Sequence, residues 1–451
     1  MQQKQSTFSG GIGFVLAAAG SAVGLGNLWR FPYLAGQYGG GIFLLVYLIL
    51  LLTFGFAILI LEVALGRKTK SSCIAAYGKI DKRFKFLGPI SALIPFIILP
   101  YYCVIGGWVV KYCVAFLSGS GATTANADYF ANFTGSTRSP LITFLIFLVI
   151  TILIVVAGVQ KGIERISKVL MPILIAITIF VSIYICTLPN AIEGIKFYLL
   201  PDFSKLSFKT VCAAMGQLFF SLSIAMGIMV SFGSYVKDEV SLVKSVNHIE
   251  IFDTLVAFLA GMMILPPVYI YSGIAGTKSS GPGLMFMTLP KVFHDMRGGL
   301  FIGGLFFILV FLAAITSSVS VLEAVCSAMM DKFGWTRKKS VVIAGICALV
   351  LGIPCSLGFG LWGNIKLLGM DILSFFDYVS NSVLMPLLAF LTTILIGWVV
   401  GTKTLEDEIT KNGEKFGRRL IFHVMIRYIA PVFLIIILVV FNLAQFKIIN
   451  M

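Results

Sequence analysis

The chain is poor in charge: only 12% of its 451 residues are Asp, Glu, Lys or Arg, about half the share usual in a soluble domain. Its three histidines form no HExxH or Cys/His arrangement, and its eight cysteines contain no CxxC spacing. The common zinc and dithiol motifs are thereby excluded. Cys73, Cys103, Cys113, Cys186, Cys212, Cys326, Cys347 and Cys355 fall mostly inside apolar runs and read as small buried fillers, with no disulfide expected. No nucleophile–base pair recurs at one depth, so enzyme chemistry is not expected. No short apolar run followed by a small-residue cleavage site opens the sequence, and residues 10–35 read as a retained first span.

What is abundant is apolar surface. Hydrophobic residues make up 59% of the chain, and the mean hydropathy is +1.00. A water-soluble core cannot absorb that much, whereas a bilayer requires runs of about 20 apolar residues. Such runs fall at roughly 10–36, 41–66, 88–117, 140–158, 167–188, 211–235, 249–273, 298–330, 340–358, 372–400 and 420–445. The pattern predicts an all-α integral membrane protein with eleven spans in one polytopic domain, residues 1–451. The net charge of +15 does not indicate nucleic acid, because the basic residues sit in short loops between apolar runs. There they set orientation. With the N-terminus and Lys4 in the cytoplasm, about 22 Lys and Arg fall in inside loops against about 9 outside. An odd number of spans then places the C-terminus outside. Residues 118–139, rich in Gly, Thr and Asn, read as an extracellular loop. Residues 191–209 read as a short extracellular segment, and residues 281–299, with Pro282 and Pro290, as a re-entrant or surface helix.

Two spans are interrupted by residues that a membrane helix avoids. Residues 20–32 read GSAVGLGNLWRFP. Three glycines in seven residues weaken a helix by about 1 kcal/mol each relative to alanine. Packing of small residues would account for Gly20 and Gly24, but not for Asn27 and Arg30, since a charge at mid-bilayer costs roughly 2.5–3.5 kcal/mol on insertion scales. The sixth span is broken similarly, by Gln217, Ser221, Ser223 and Gly227. Interrupted helices at matching positions of two five-span halves point to a transport site. Unwound carbonyls there can hold a cation, and half-helix N-termini favour a carboxylate. The hydroxyls of Thr316, Ser317 and Ser318 either bond back to their own helix or offer oxygens to a hard cation. Asp253 reads as an interfacial carboxylate or as an ion ligand.

The stretch 20–32 resembles the AGxAVGLGNxWRFP signature of the neurotransmitter:sodium symporter family, and further matches lie at residues 62–67, 101–108, 216–227, 313–318 and Asp377. The chain is similar to the short bacterial amino-acid:sodium symporters with eleven helices. The resemblance implies the leucine-transporter-like inverted repeat: five helices over 10–188, five over 211–400, and an eleventh over 420–445, with helices 1 and 6 unwound at mid-membrane. It implies two sodium ions. One would be held by Ala22, Asn27, Ser221, Asp253 and the substrate carboxylate, the other by Gly20, Val23, Ala313, Thr316 and Ser317. The implied substrate pocket is Ser21, Ala22, Gly24, Leu25, Gly26, Ile98, Tyr102, Phe220, Ser221, Ser223, Met226, Ser317 and Val321, with the Tyr102 hydroxyl on the substrate carboxylate.

Monoamine-transporting relatives carry an aspartate where this chain has Gly24, so an amino acid with its own carboxylate is implied. The apolar Ile98, Phe220, Met226 and Val321 favour a neutral hydrophobic side chain, large or aromatic ones included. Arg30 and Asp377 would gate the outside, and Tyr235 and Asp331 the cytoplasmic side. There the family's RxxW motif falls on Gln5 and Phe8, leaving only Lys4 as a nearby base. Glu62 would brace the unwound part of span six. Chloride-dependent relatives have an asparagine at the position of Asp253 and a serine at that of Ala257; Tyr47 and Gln217 remain from that neighbourhood. A fixed carboxylate substitutes for the anion, so chloride independence is implied. The expected function is sodium-coupled symport of an amino acid by alternating access across the bacterial inner membrane. No organic cofactor, nucleic acid or obligate protein partner is expected. A sensor without coupled flux and a proton-driven transporter are the alternatives.

Overall fold

The computed structural model describes residues 7–278 and 281–446. Its main helices, in chain order, are α1 (Gly11–Ala22), α2 (Gly26–Gln37), α3 (Gly41–Thr69), α4 (Cys73–Ile80), α5 (Leu87–Leu117), α6 (Arg138–Val156), α7 (Val159–Cys186), α8 (Ala191–Leu199), α9 (Phe208–Ser221), α10 (Ile228–Ser234), α11 (Leu242–Thr277), α12 (Leu289–Asp295), α13 (Gly299–Phe333), α14 (Arg337–Leu357), α15 (Ile372–Val399), α16 (Lys403–Ile409) and α17 (Arg419–Gln445). Among the described residues nine helices are long and apolar enough to cross a membrane, and α1 with α2 forms a tenth, bent span. The remaining expected span is α9 plus α10, two short helices separated by residues 222–227. The chain is therefore a multi-pass, all-α membrane protein.

Two spans begin earlier than hydropathy indicates. Helix α11 starts at Leu242, capped by the Ser241 hydroxyl, which accepts the Lys244 N–H at 3.3 Å. Helix α7 starts at Val159, and its first turns hide Glu164 against Ser9 and Lys168. Polar first turns carry little hydropathy but complete a helix as well as apolar ones do. Residues 281–299 include the short helix α12, and residues 191–209 contain α8.

Helices α1, α5, α11 and α13 lie at the centre, with fully buried residues such as Phe14, Cys103, Ala260 and Ala314. The lipid-facing helices α6 and α17 are far less enclosed. Pro95 and Pro100 inside α5, and Pro266 and Pro267 inside α11, remove ladder donors. Neighbouring helices tolerate such losses in a bundle better than an isolated helix does.

At the end where α3, α10 and α13 finish, carboxylates and bases fasten the loops. Arg67, fully buried, pairs with Glu408 of α16 at 2.7 Å and donates to the Val240 carbonyl at 2.7 Å. Arg418 pairs with Glu250 at 2.6 Å. Asp238 lies between Lys70, at 2.7 Å, and Lys411, at 2.9 Å. Hydrogen bonds from these two ammonium groups, Lys70 first, draw its carboxyl down to about 2. Because the folded value lies below the ordinary ~3.9, the stabilisation is complete above that value and vanishes as pH falls through the folded one. The Tm difference between the wild type and Asp238→Asn should therefore be the same at about pH 5 and pH 8, and should shrink with added salt. A difference that changes between those two pH values would show that another group titrates in this cluster.

Candidate functional site

The site is built where two spans break. Helix α1 ends at Ala22, Val23 turns out of helical geometry at φ −76° and ψ 94°, and the chain resumes as α2 after a bend of 43°. Between α9 and α10, Ser223 (φ 53°) and Ala225 (φ 57°) adopt left-handed backbone despite their β-carbons, at roughly 1–2 kcal/mol each. Side chains hold that conformation. Glu62 Oε1 accepts the Ala225 N–H at 2.8 Å. The Ser223 hydroxyl donates to the Ser21 carbonyl at 3.0 Å, and the Ser21 hydroxyl donates to Ser223 Oγ at 3.1 Å. Gln217 Nε2 donates to the Gly26 carbonyl at 2.8 Å. The two breaks are thus tied to each other directly.

Asn27, Ser221 and Asp253, expected around one cation, meet at a single carboxylate. Asp253 Oδ1 accepts from Asn27 Nδ2 at 2.8 Å and from the Ser221 hydroxyl at 2.8 Å; Oδ2 accepts from the Tyr47 hydroxyl at 3.1 Å. All four side chains are buried, so Asp253 is a buried, hydrogen-bonded carboxylate and not an interfacial one. Ala22 is the last residue of α1.

The second set also gathers. The Ser317 hydroxyl reaches the carbonyls of Ser21 at 3.0 Å and Gly20 at 3.4 Å. Thr316 Oγ1 bonds back to the Ala313 carbonyl at 3.0 Å, the local reading of that hydroxyl. A β-carbon on Gly20 would lie 3.4 Å from Thr316 Cβ, which places α1 against α13 at this depth. Val23 lies in the break. The donors are carbonyls, hydroxyls, one amide and one carboxylate, an oxygen set suited to a hard monovalent cation. Among the described residues no group of three or more His, Cys, Asp and Glu could hold a metal ion.

A cavity that shares Ala22 with the first set and Ser317 with the second is lined by Ser21, Ala22, Gly24, Leu25, Gly26, Ile98, Tyr102, Phe220, Ser223, Met226, Ser317 and Val321. Of the pocket residues expected from sequence, only Ser221 is not on its wall; its hydroxyl is turned to Asp253. The Tyr102 hydroxyl accepts the Leu25 N–H at 3.3 Å. The cavity is tight. The space open to a water's centre is about 20 Å3, close to the ~10–15 Å3 that one water needs.

The expected gates are placed differently from simple pairs. Among the described residues no ion pair joins Arg30 to Asp377. The Arg30 guanidinium lies over the Phe220 ring, 5.4 Å from its centroid, and Asp377 accepts from Asn381 at 2.5 Å. At the other end Asp331 accepts from the Ser72 N–H at 2.8 Å and the Ser72 hydroxyl at 2.6 Å. Tyr235 donates instead to Glu323 at 2.7 Å, and Glu323 pairs with Arg337. Lys4 and Gln5 fall outside the described residues. Phe8 docks by its ring against Tyr235, Phe14 and Phe232 and donates its N–H to the Tyr235 carbonyl at 3.1 Å. Sequence reasoning missed Glu323 and Arg337. The available signal was a glutamate within the apolar run 298–330, which a membrane span tolerates only with a partner.

Comparison with known proteins gives a consistent result. The profile described as the sodium:neurotransmitter symporter family matches residues 5–132 and 131–451. An uncharacterized sodium-dependent transporter of Haemophilus influenzae is 34% identical, with 97% of this chain and 98% of that protein aligned. The sodium- and chloride-dependent taurine transporter of Rattus norvegicus is 30% identical over 90% of this chain and 73% of its own length. The crystal structure of MhsT in complex with L-phenylalanine superposes with a TM-score of 0.87 at 37% identity, covering 96% of this chain and 99% of that one.

Proposed function

Because this chain belongs to the sodium:neurotransmitter symporter family, we propose that its cavity carries a neutral hydrophobic amino acid into the cell, aromatic ones included, together with two sodium ions and without chloride. That the protein is a sodium-dependent symporter and not an enzyme follows from the family and its relatives. The choice of substrate rests chiefly on one observation: the cavity is lined by the apolar Ile98, Phe220, Met226 and Val321 together with the Tyr102 hydroxyl and the broken ends of α1 and α9. L-Phenylalanine in MhsT supports the same reading.

The tightness of the cavity describes a closed state. An amino acid enters when Phe220, with Arg30 above it, swings aside, and Met226 adapts to the side chain it meets. The substrate carboxylate sits between Tyr102 and the first cation. Sodium bound by Ala22, Asn27, Ser221 and Asp253 and by Gly20, Val23, Ala313, Thr316 and Ser317 ties α1 to α11 and α13. Loss of the second ion frees α1 and opens the path past Tyr235, Glu323 and Asp331. The repeats 10–188 and 211–400 rock against one another, with 420–445 outside them, the N-terminus in the cytoplasm and the C-terminus across the inner membrane. Two sodium ions crossing 100 mV release about 4.6 kcal/mol, enough for roughly a thousandfold accumulation. The fixed charge of Asp253, with Ala257 in place of a hydroxyl residue, supports independence from chloride.

The deciding experiment is uptake of the twenty amino acids into proteoliposomes under an inward sodium gradient, with choline replacing sodium and gluconate replacing chloride in parallel. Sodium-dependent, chloride-insensitive uptake confined to hydrophobic amino acids is the expected outcome, and Tyr102→Phe should raise the half-saturating substrate concentration about tenfold, one charge-assisted hydrogen bond being worth about 1.5–3 kcal/mol. Binding without sodium-driven uptake would identify a sensor, and uptake driven by a pH gradient alone would identify a proton-coupled carrier; either would end this reading.

A further inference from the structure

The lysines at one end of the bundle are not all used in the same way. Arg67, Lys70, Lys411, Arg418 and Arg419 at that end are each paired with a carboxylate. Lys82, Lys85, Lys332 and Lys338 are exposed, and among the described ion pairs none of them has a carboxylate partner. These four flank two aromatic plates. Phe84 and Phe86 stack with centroids 5.9 Å apart and planes at 27°, just before α5 begins. Phe333, the last residue of α13, and Trp335, just before α14, stack at 4.7 Å and 25°, and the Lys339 ammonium caps Trp335 at 4.6 Å from its centroid.

The two plates flank one junction. Both of the Ser72 hydrogen bonds to Asp331 join the segment leading into α4 to the end of α13. Rings of this kind are wasted against water: Phe86 is 47% exposed and Phe333 57%. From Phe86 the apolar face continues along α5 through Ile90 to Leu93, itself 44% exposed, the spacing of one helix stripe. The plates therefore stand where the lipid-facing belt ends, the depth at which aromatic side chains meet headgroups. Lysines beside them can lay their methylenes along the rings and extend their ammonium groups to the phosphate level. Of the nearby carboxylates, Asp81 is neutralised by Arg83 at 2.7 Å, while Asp331, bonded to the neutral Ser72, keeps its charge and leaves the four lysines in excess.

We propose that the surface formed by Phe84, Phe86, Phe333 and Trp335 with Lys82, Lys85, Lys332 and Lys338 is a binding site for anionic phospholipid, its rings seating the glycerol region and its lysines the phosphates. Clusters of four or more bases directly outside a membrane span attract acidic lipid in this way. The site is independent of the transported substrate, and only the name of the leaflet rests on the proposed orientation.

The test uses the full-length protein in detergent, titrated with phosphatidylglycerol or with phosphatidylcholine, bound lipids being counted by native mass spectrometry. The wild type should retain phosphatidylglycerol preferentially, and K82Q/K85Q/K332Q/K338Q should bind it about a thousandfold more weakly, with phosphatidylcholine binding unchanged. Should that variant fail to fold, raising the ionic strength on the wild type gives the same answer: bound phosphatidylglycerol should be released while phosphatidylcholine is not. Equal retention of the two lipids, unaltered phosphatidylglycerol binding by a folded variant, or retention indifferent to salt would each overturn the proposal. Because the readout is lipid count, a protein that binds phosphatidylglycerol but carries no amino acid would refute the transport reading and leave this one standing.

Discussion

Asp253→Ala is expected to lower sodium-dependent uptake by about a hundredfold or more. The carboxylate is the common acceptor for Asn27, Ser221 and Tyr47. Removing it leaves the buried Ser221 and Tyr47 hydroxyls without this acceptor, at about 1–3 kcal/mol each, while Asn27 Nδ2 keeps the Asp253 backbone carbonyl at 3.2 Å; at about 1.4 kcal/mol per tenfold the two hydroxyls together centre on more than two orders of magnitude. It also strips the proposed cation site of its negative charge. Asp253→Asn separates the two effects, since it keeps the volume and one acceptor oxygen but not the charge. Uptake by Asp253→Asn should fall nearly as far and stay unresponsive to added chloride, because Ala257 supplies no hydroxyl for an anion. Sodium titrations of initial uptake rate measure this; a wild-type sodium response from Asp253→Asn would show that the carboxylate organises the pocket without serving the ion.

Gly24→Ala is the second substitution with a large expected effect. A β-carbon there would overlap the Ser317 hydroxyl and come within 3.1 Å of the Tyr102 hydroxyl. Those are the two hydroxyls that face the cavity from α13 and α5, and neither is the far end of a flexible chain. Overpacking of this kind costs about 1–3 kcal/mol, so the apparent affinity for substrate should drop about tenfold or more. Gly304→Ala, on the same helix as Ser317, meets nothing nearer than 3.9 Å. It should leave transport alone and raise thermal stability slightly, as alanine is the better helix former. Equal substrate titrations for wild type and Gly24→Ala would place the substrate elsewhere.

The class of solvent, ten of the eleven expected spans to within their ends, and the position of the breaks are legible in the order of residues alone. Each of these is a local property. Hydropathy is summed over about 20 neighbouring residues, and the breaks announce themselves through Gly20, Gly24, Gly26 and Asn27 in one run and Gln217, Ser221 and Gly227 in the other. The signature at 20–32 added the cavity residues, because a motif carries the record of a packing that its own letters do not explain. The pairings came from the packing of the helices in three dimensions. Tyr235 could have met Asp331 and instead meets Glu323, a residue 88 positions away; Arg30 could have met Asp377 and instead covers Phe220. Ser21 and Ser223, 202 positions apart, close on one another only because both breaks fall at the same depth. Charge and hydroxyl chemistry limit which partners are acceptable, but which acceptable partner lies within about 3 Å is set by how whole helices cross, and no stretch of sequence contains that distance.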